Sequence, residues 1–305
     1  MTASFDGIAP LPHLGVIRAE GEDAVKFLHG QLTHDFALLD LQHARLAAFL
    51  SAKGRMQASF LAWRDGGRYR LLLAADLQEV SQKRLQMFVL RAKVKLASLT
   101  DSTILLGLSG PQAPEALADA ALPCPDDAMT SAIADGITVI RLDAGRFVIA
   151  APESAAIALW QKLSVKARPA GVPVWRWLDI KAGYPLVTLA TKEEFVPQMA
   201  DFEKIGGVSF HKGCYPGQEI VARTQYLGKV KRHLFRLSST QALQAGDDLH
   251  SPDNPDQACG MVMTAAPSPA GGYEALAVVQ SNFSNNVHLG SREGPQVQAT
   301  AVNPL

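Results

Sequence analysis

The same succession of elements occurs twice within residues 1–165, and it narrows the fold more than any other feature of the chain. Gly15-Val16-Ile17-Arg18-Ala19 reads as a strand, and Glu20-Gly21-Glu22-Asp23 opens a helix through Gln31 with Ala24, Phe27 and Leu28 inward. Two apolar runs lie between Leu46 and Trp63. Asp65-Gly66-Gly67 then turns the chain into Tyr69-Arg70-Leu71-Leu72-Leu73, before a helix from about Leu77 to Leu90. The order restarts at Ile104-Leu105-Leu106-Gly107-Leu108, where Ser109-Gly110-Pro111-Gln112 leads into an alanine-rich helix. Ile137 to Leu142 turns through Asp143-Ala144-Gly145 into Arg146-Phe147-Val148-Ile149, and Glu153 to Leu163 is again helical. Glu20-Gly21 thus matches Ser109-Gly110, and Asp65-Gly66-Gly67-Arg68-Tyr69 matches Asp143-Ala144-Gly145-Arg146-Phe147. Two divergent βαββα copies imply an α+β fold, with helices layered on largely antiparallel sheet. Recurrence by chance is the competing reading, since strand-turn-strand-helix is a common order.

Lys166 to Pro173 reads as a linker, delivering Val174 to Ile180 with its tryptophans Trp175 and Trp177. After Lys231 the texture changes: Leu234-Phe235-Arg236-Leu237, Gly260-Met261-Val262-Met263 and Tyr273 to Val279 are short strand-like runs between Gly-, Pro- and Asp-rich turns. That pattern predicts a small β-barrel. The expected division is residues 1–231, with approximate halves 1–100 and 101–165 and a segment 166–231, then a barrel domain at 232–305. The first region is open to being discontinuous.

A 305-residue chain that is 48% hydrophobic can bury a large core. Basic and acidic residues balance at 29 each, so net charge offers no argument for DNA or a membrane surface. Cys124, Cys214 and Cys259 are far apart and odd in number, which argues against a disulfide framework and for a reducing compartment. One chain with these thiols cannot supply the four thiolates of a cluster. There is no basic, apolar leader and no run of about 18 apolar residues, so a cytoplasmic location is expected. Neither a dinucleotide fingerprint nor a Walker A sequence is present.

The densest chemistry sits in Phe210-His211-Lys212-Gly213-Cys214-Tyr215-Pro216-Gly217-Gln218-Glu219, followed by Ile220-Val221-Ala222-Arg223. Gly217 reads as a helix N-cap and Gly228 as a left-handed residue past the C-terminus, with Ile220, Val221, Tyr226 and Leu227 near one face. Glu219 then lies in the first turn and Lys229, Lys231 and Arg232 beyond the last, both favourable to the helix dipole. Cys214 stands ahead of the positive helix end with Lys212 and His211 nearby, an electropositive setting of the kind that activates a thiol as nucleophile or ligand. A half-buried structural cysteine is the plainer alternative. His211 and Cys214 could make one half of a metal site, but no second pair follows at ligand spacing, so the pair alone is weak evidence for a metal.

Lys212-Gly213-Cys214-Tyr215-x-Gly217-Gln218-Glu219 resembles the signature of the YgfZ family, folate-binding proteins of iron-sulfur cluster assembly or repair that share the fold of the glycine-cleavage T-protein, an aminomethyltransferase. Gly206 to Phe210 and Phe195-Val196-Pro197-Gln198 are similar too. The resemblance is strongest over residues 175–232 and fair over 14–62. It implies a T-protein-like fold and tetrahydrofolate or a derivative as cofactor. The partners it implies are iron-sulfur client or assembly proteins, among them radical-SAM enzymes that modify tRNA, with contact to tRNA itself left open. Cys214, Lys212 and Glu219 would carry the chemistry, with Gly213, Tyr215, Gly217, Gln218 and Arg223 completing the motif. Trp175, Gln198, Lys53, Gly54 and Met56 would face folate, and Cys214 could serve as a transient cluster ligand. Gln31-Leu32-Thr33-His34-Asp35 is similar to a family segment near the folate cavity, and equally reads as a polar helix exit.

The chain also departs from its relatives. A family tryptophan near the first strand falls on Leu14. The T-protein's Asp-Asp pair falls on Ala58 and Ser59, which supply no base near neutral pH, and its pterin-directed glutamate falls on Lys181. Aminomethyl transfer is therefore not expected. Two alternatives stand beside the cluster-support reading: a folate-dependent one-carbon transferase or demethylase, and a non-catalytic adaptor docking through Arg223, Lys229, Lys231, Arg232, His233 and Arg236. Trp175 and Trp177 similarly offer an aromatic face for a pterin, or simply anchor a core strand.

Overall fold

The computed structural model describes residues 5–254 and 256–302. In chain order β1 (Gly7–Pro10), a strand of the second copy's sheet, precedes the first copy, which runs β2 (Leu14–Glu20), α1 (Ala24–Gln31), β3 (Ala44–Leu50), β4 (Met56–Asp65), β5 (Arg68–Ala74), α2 (Ala75–Gln86) and β6 (Lys95–Ser98). The second runs β7 (Thr103–Ser109), α3 (Ala113–Asp119), β8 (Thr130–Ala134), β9 (Ile137–Arg141), β10 (Arg146–Pro152), α4 (Glu153–Leu163) and β11 (Arg168–Pro169). Then come α5 (Val172–Ala182), α6 (Gln218–Tyr226), β12 (Arg232–Ser239), β13 (Asp248–His250), β14 (Gly260–Pro267), β15 (Tyr273–Gln280), β16 (Val287–Leu289) and β17 (Gln296–Ala301).

The repeat is real, and it is written in the sheet order. The first sheet is ordered β3-β4-β5-β2-β6 and the second β8-β9-β10-β7-β1-β11, so each copy places its four core strands in the same sequence. Each copy carries three strands between its helices rather than the two of the expected βαββα unit. The added strand of the second copy, β8, is short, and only Ser131 along it is fully buried, which leaves little apolar alternation to read. The Asp65-Gly66-Gly67 turn lies where expected, with Asp65 paired to Arg68 and Gly66 at φ 59°.

Two compact units form: residues 1–29, 35–46 and 60–175 in one, and residues 30–34, 47–59 and 176–305 in the other. In the first, Leu106, Leu108, Phe147 and Ile149 of the six-stranded sheet meet Leu117 of α3 and Leu159 and Leu163 of α4 in one apolar core. α2 packs on β2 and β6. Lys166 to Pro173 is not a free linker, since β11 pairs parallel with β1, Gly7 opposite Arg168. α2 stops at Gln86, short of the expected Leu90, which itself adopts φ 43°.

In the second unit β12 to β17 close into a barrel, ordered β12-β15-β14-β13-β16-β17. Inward residues alternate along the strands, with Phe235, Leu237, Ala275, Ala277 and Val279 in its core. Arg232 opens the barrel's first strand, while residues 176–231 share the barrel's unit. The Trp177 segment is helical, not a strand: α5 starts one residue before Pro173, where a missing N–H costs nothing. No helix among the described residues is long and apolar enough to cross a membrane.

Candidate functional site

The cysteine loop is held in place by partners distant in sequence, all within the second unit. Thr33 is the first anchor. Its hydroxyl donates to the Gly207 carbonyl at 2.6 Å and accepts from the Ala48 amide at 2.8 Å, and its own carbonyl takes the Ser209 amide at 2.9 Å. Lys212 is the second. It is buried, its Nζ donates to the Leu32 carbonyl at 2.6 Å, and the ammonium stands 4.9 Å from the Tyr215 ring centroid. Tyr215 is buried in turn, and burial pushes its phenol up to about 12.

Glycine pairing fixes the other end of the loop. Gly217 caps α6 at φ 79°, and a Cβ there would lie 2.5 Å from the Ser51 carbonyl and 2.9 Å from the Gly54 Cα. Gly54, at φ 72°, faces Ile220 so closely that its own Cβ would sit 2.8 Å from the isoleucine Cβ. Only residues without a side chain permit both the left-handed backbone and this approach. The segment around Gly54 is thereby brought against the start of α6, a contact the sequence reading did not name. Backbone pairing extends the contact: the Met56 amide donates to Phe195 and the Glu193 amide to Met56, both at 2.8 Å.

On this scaffold Cys214 is exposed, whereas Cys259 is buried and Cys124 half-buried. Burial raises the thiols of Cys124 and Cys259, which makes them poor nucleophiles. Gly213, His211, Lys53, Glu219 and Arg223 are exposed or at the surface of the same unit, except that Gly54 and Met56 beneath them are buried. Glu219 occupies the first turn of α6, and Gln218 Nε2 reaches the Gly213 carbonyl at 3.5 Å. The expected apolar face of α6 is not formed as a whole: Val221 is buried, but Tyr226 and Leu227 are 68% and 84% exposed. Gly228 is not left-handed, and the helix ends instead through the Leu227 amide bonding the Arg223 carbonyl at 2.9 Å.

Gln198 is 1% exposed, its Nε2 donates to the Val221 carbonyl at 2.8 Å, and its Oε1 has no donor among the described residues. Among the described residues no group of three or more His, Cys, Asp or Glu side chains could hold a metal ion. Asp201 collects His233 Nδ1 at 2.9 Å and Lys204 at 3.2 Å, and neighbouring Glu203 is raised by burial. His233 and Arg236, whose Nη2 donates to the Lys181 carbonyl at 2.7 Å, are thus structural members of the basic run, leaving Lys229 and Lys231 exposed.

Other sequence-selected residues hold structure. Trp175 belongs to the first unit and is 2% exposed. Its ring leaves no room for a Cβ on Gly107, which would lie 2.3 Å from Trp175 Cε3, and the Arg146 guanidinium stands 5.8 Å from its centroid. Trp177 Nε1 donates to Glu274 at 2.9 Å and Lys181 Nζ lies 3.0 Å from the same carboxylate. Burial alone would raise Glu274, but hydrogen bonds from Trp177, Lys181 and Ser268 hold it below the usual range. Ser59 accepts the Val187 amide at 3.0 Å, and Ala58 is buried. None of these three positions carries a free carboxylate. The Thr33–Gly207 bond escaped the sequence reading, which marked Thr33 only as part of the Gln31–Asp35 stretch, because a threonine in a polar stretch signals nothing about a partner 174 residues away.

No family model matches the chain. It is 36% identical over 234 residues to the tRNA-modifying protein YgfZ of Escherichia coli O157:H7, covering 75% of this chain and 71% of that protein. It is 30% identical over 291 residues to the tRNA-modifying protein YgfZ of Cronobacter sakazakii, covering 93% and 88%. The glycine cleavage system aminomethyltransferase T of Bartonella henselae superposes with a TM-score of 0.78 at 23% identity, covering 99% of this chain and 87% of that one. The latter likeness establishes the T-protein fold, and the former relatives place the chain: it belongs to the YgfZ family.

Proposed function

We propose that this chain is a folate-binding protein that supports assembly or repair of iron-sulfur clusters in client enzymes, including radical-SAM enzymes that modify tRNA. One observation carries the reading: Cys214 is exposed on a loop whose two ends are fixed by Lys212 on Leu32 and by Gly217 against Gly54. A preorganised, solvent-facing thiol is what a nucleophile or transient cluster ligand requires. Lys212 anchors the loop and keeps a positive charge beneath it, while Glu219 stabilises the helix that follows. Because the chain supplies one exposed thiol, any cluster is cargo shared with a client or assembly partner.

For tetrahydrofolate the fit is partial. The buried, donor-less Oε1 of Gln198 suits the N–H-bearing edge of a pterin, and Lys53, Gly54 and Met56 lie in the same unit. Trp175 does not suit stacking, since its ring is enclosed by Gly107 and Arg146. When bound, the reduced pterin would supply a one-carbon carrier, and this chain's part is to accept its donors at Gln198. Aminomethyl transfer is not proposed, because Ala58, Ser59 and Lys181 provide no carboxylate.

Calorimetric titration with tetrahydrofolate and its 5-formyl derivative tests the cofactor. Saturable binding weakened about tenfold by Gln198→Leu is expected. No binding at millimolar ligand would remove folate from the account. The adaptor reading draws on a separate observation, the exposed Tyr226 and Leu227 beside Lys229 and Lys231. Charge reversal at Lys229, Lys231 and Arg232 that abolishes function, with Cys214→Ala harmless, would favour it.

A further inference from the structure

The first unit contains a second candidate site, unrelated to the cysteine loop. Arg18 of β2 stands directly opposite Arg70 of β5, and Arg70 directly opposite Trp63 of β4. Opposed residues of antiparallel strands share a face, with Cβ atoms about 5 Å apart. Three donor-bearing side chains therefore form a row across three strands. Like charges placed opposite each other destabilise a sheet, so the Arg18–Arg70 pair needs a compensating reason.

Each member of the row keeps a buried nitrogen with no acceptor among the described residues: Arg18 Nε, Arg70 Nη1 and Trp63 Nε1. Trp63 is 1% exposed. A buried donor without a partner costs about 1–3 kcal/mol, and native proteins seldom carry such groups without an occupant to satisfy them. All three residues line one cavity of about 240 Å³, whose apolar walls include Val16, Leu99, Ala151 and Pro152. Among the described residues no lining residue has a buried side-chain acceptor without a partner, so the imbalance among buried side-chain atoms is on the donor side.

Charge narrows the ligand class. Arg18 Nη2 lies 3.0 Å from Glu20, Arg68 Nε 3.4 Å from the same carboxylate, and Arg70 Nη2 2.6 Å from Asp65. Three guanidiniums share two carboxylates, which leaves a single positive charge. A monoanion balances it, whereas a dianionic phosphate would face the Asp65 carboxylate that also lines the cavity. We propose that this cavity binds a small organic monocarboxylate, its oxygens accepting from Arg18, Arg70 and Trp63 and its short apolar body resting on Val16 and Leu99.

The full chain would be titrated calorimetrically with propionate, lactate and inorganic phosphate at constant ionic strength. The Trp63 indole N–H would be followed by ¹⁵N-correlated spectroscopy, assigned by its loss in Trp63→Phe. Saturable binding of propionate or lactate, a downfield shift of that resonance, and at least tenfold weakening in Trp63→Phe and Arg70→Lys are expected, with Cys214→Ala binding as the unmodified chain does. Should Trp63→Phe fail to fold, Arg70→Lys and the indole shift decide. Phosphate binding more tightly than either carboxylate would overturn the ligand class. Absence of saturable binding to all three anions, or binding that both substitutions leave unchanged, would overturn the site.

Discussion

Lys212 Nζ and the Leu32 carbonyl oxygen meet at 2.6 Å across 180 residues of sequence, tying the cysteine loop to the strand-side segment that ends α1. Removing the ammonium leaves a carbonyl in a buried place without its donor. Lys212→Met is therefore expected to lower stability by about 1–3 kcal/mol, read as a shift in the urea midpoint at constant slope. Lys212→Arg should recover part of the loss.

The close approach of Gly217 and Gly54 predicts a contrast between two glycines. Gly217→Ala places a Cβ 2.5 Å from the Ser51 carbonyl in a left-handed backbone, and should cost several kcal/mol in thermal or urea unfolding. Gly66→Ala, left-handed too but with nothing within 4 Å, should cost only about 1 kcal/mol.

Exposure separates the thiols. Titration of the native protein with an aromatic disulfide should give one fast equivalent, abolished by Cys214→Ser, with Cys259 reacting only on unfolding. A fast phase that survives Cys214→Ser would contradict the loop geometry.

Tyr215 links stability to alkaline pH. Its folded-state value, about 12, lies above the ordinary 10, so on raising pH the unfolded chain ionises first. The native state should lose stability progressively between about pH 10 and 12, and Tyr215→Phe should flatten that decline. Glu203 behaves alike at lower pH: its raised carboxyl favours the neutral form, so stability falls as pH climbs through and above the ordinary 4.5. Glu203→Gln should gain most near neutrality and nothing below about pH 3.

Trp175 is a core residue whose truncation is expected to cost about 3–5 kcal/mol. Loss of ligand binding in Trp175→Ala would consequently report unfolding unless the melting temperature were measured alongside.

Much of this architecture was legible because it is local. Turn chemistry at Asp65-Gly66-Gly67 and Asp143-Ala144-Gly145 marks equivalent hairpins, and Ala24, Phe27 and Leu28 declare the inner face of α1. β8 was missed, since its exposures hardly alternate, and the tryptophan segment within Val172–Ala182 reads as a strand because two indoles two residues apart suit one face of a strand. Within the site, the approach of Gly54 to Gly217 was hidden by their distance in sequence, while the motif from Phe210 to Glu219 was legible as one dense stretch. The roles of Thr33 and Lys212 were not, because each is set by a carbonyl distant in sequence that no residue pattern announces. Tyr226 and Leu227 misled for the opposite reason: helical spacing suggested burial, yet both are mostly exposed, Tyr226 meeting only the edge of Phe210 among rings.

The most direct measurement is functional replacement. Cells lacking their own protein of this family would carry this chain or its Cys214→Ala form at matched abundance, and the tRNA nucleoside made by an iron-sulfur radical-SAM client would be quantified by mass spectrometry. Restoration by the unmodified chain, with Cys214→Ala falling to the level of cells without either, is the predicted result. Equal restoration by both forms would contradict a working role for the exposed thiol.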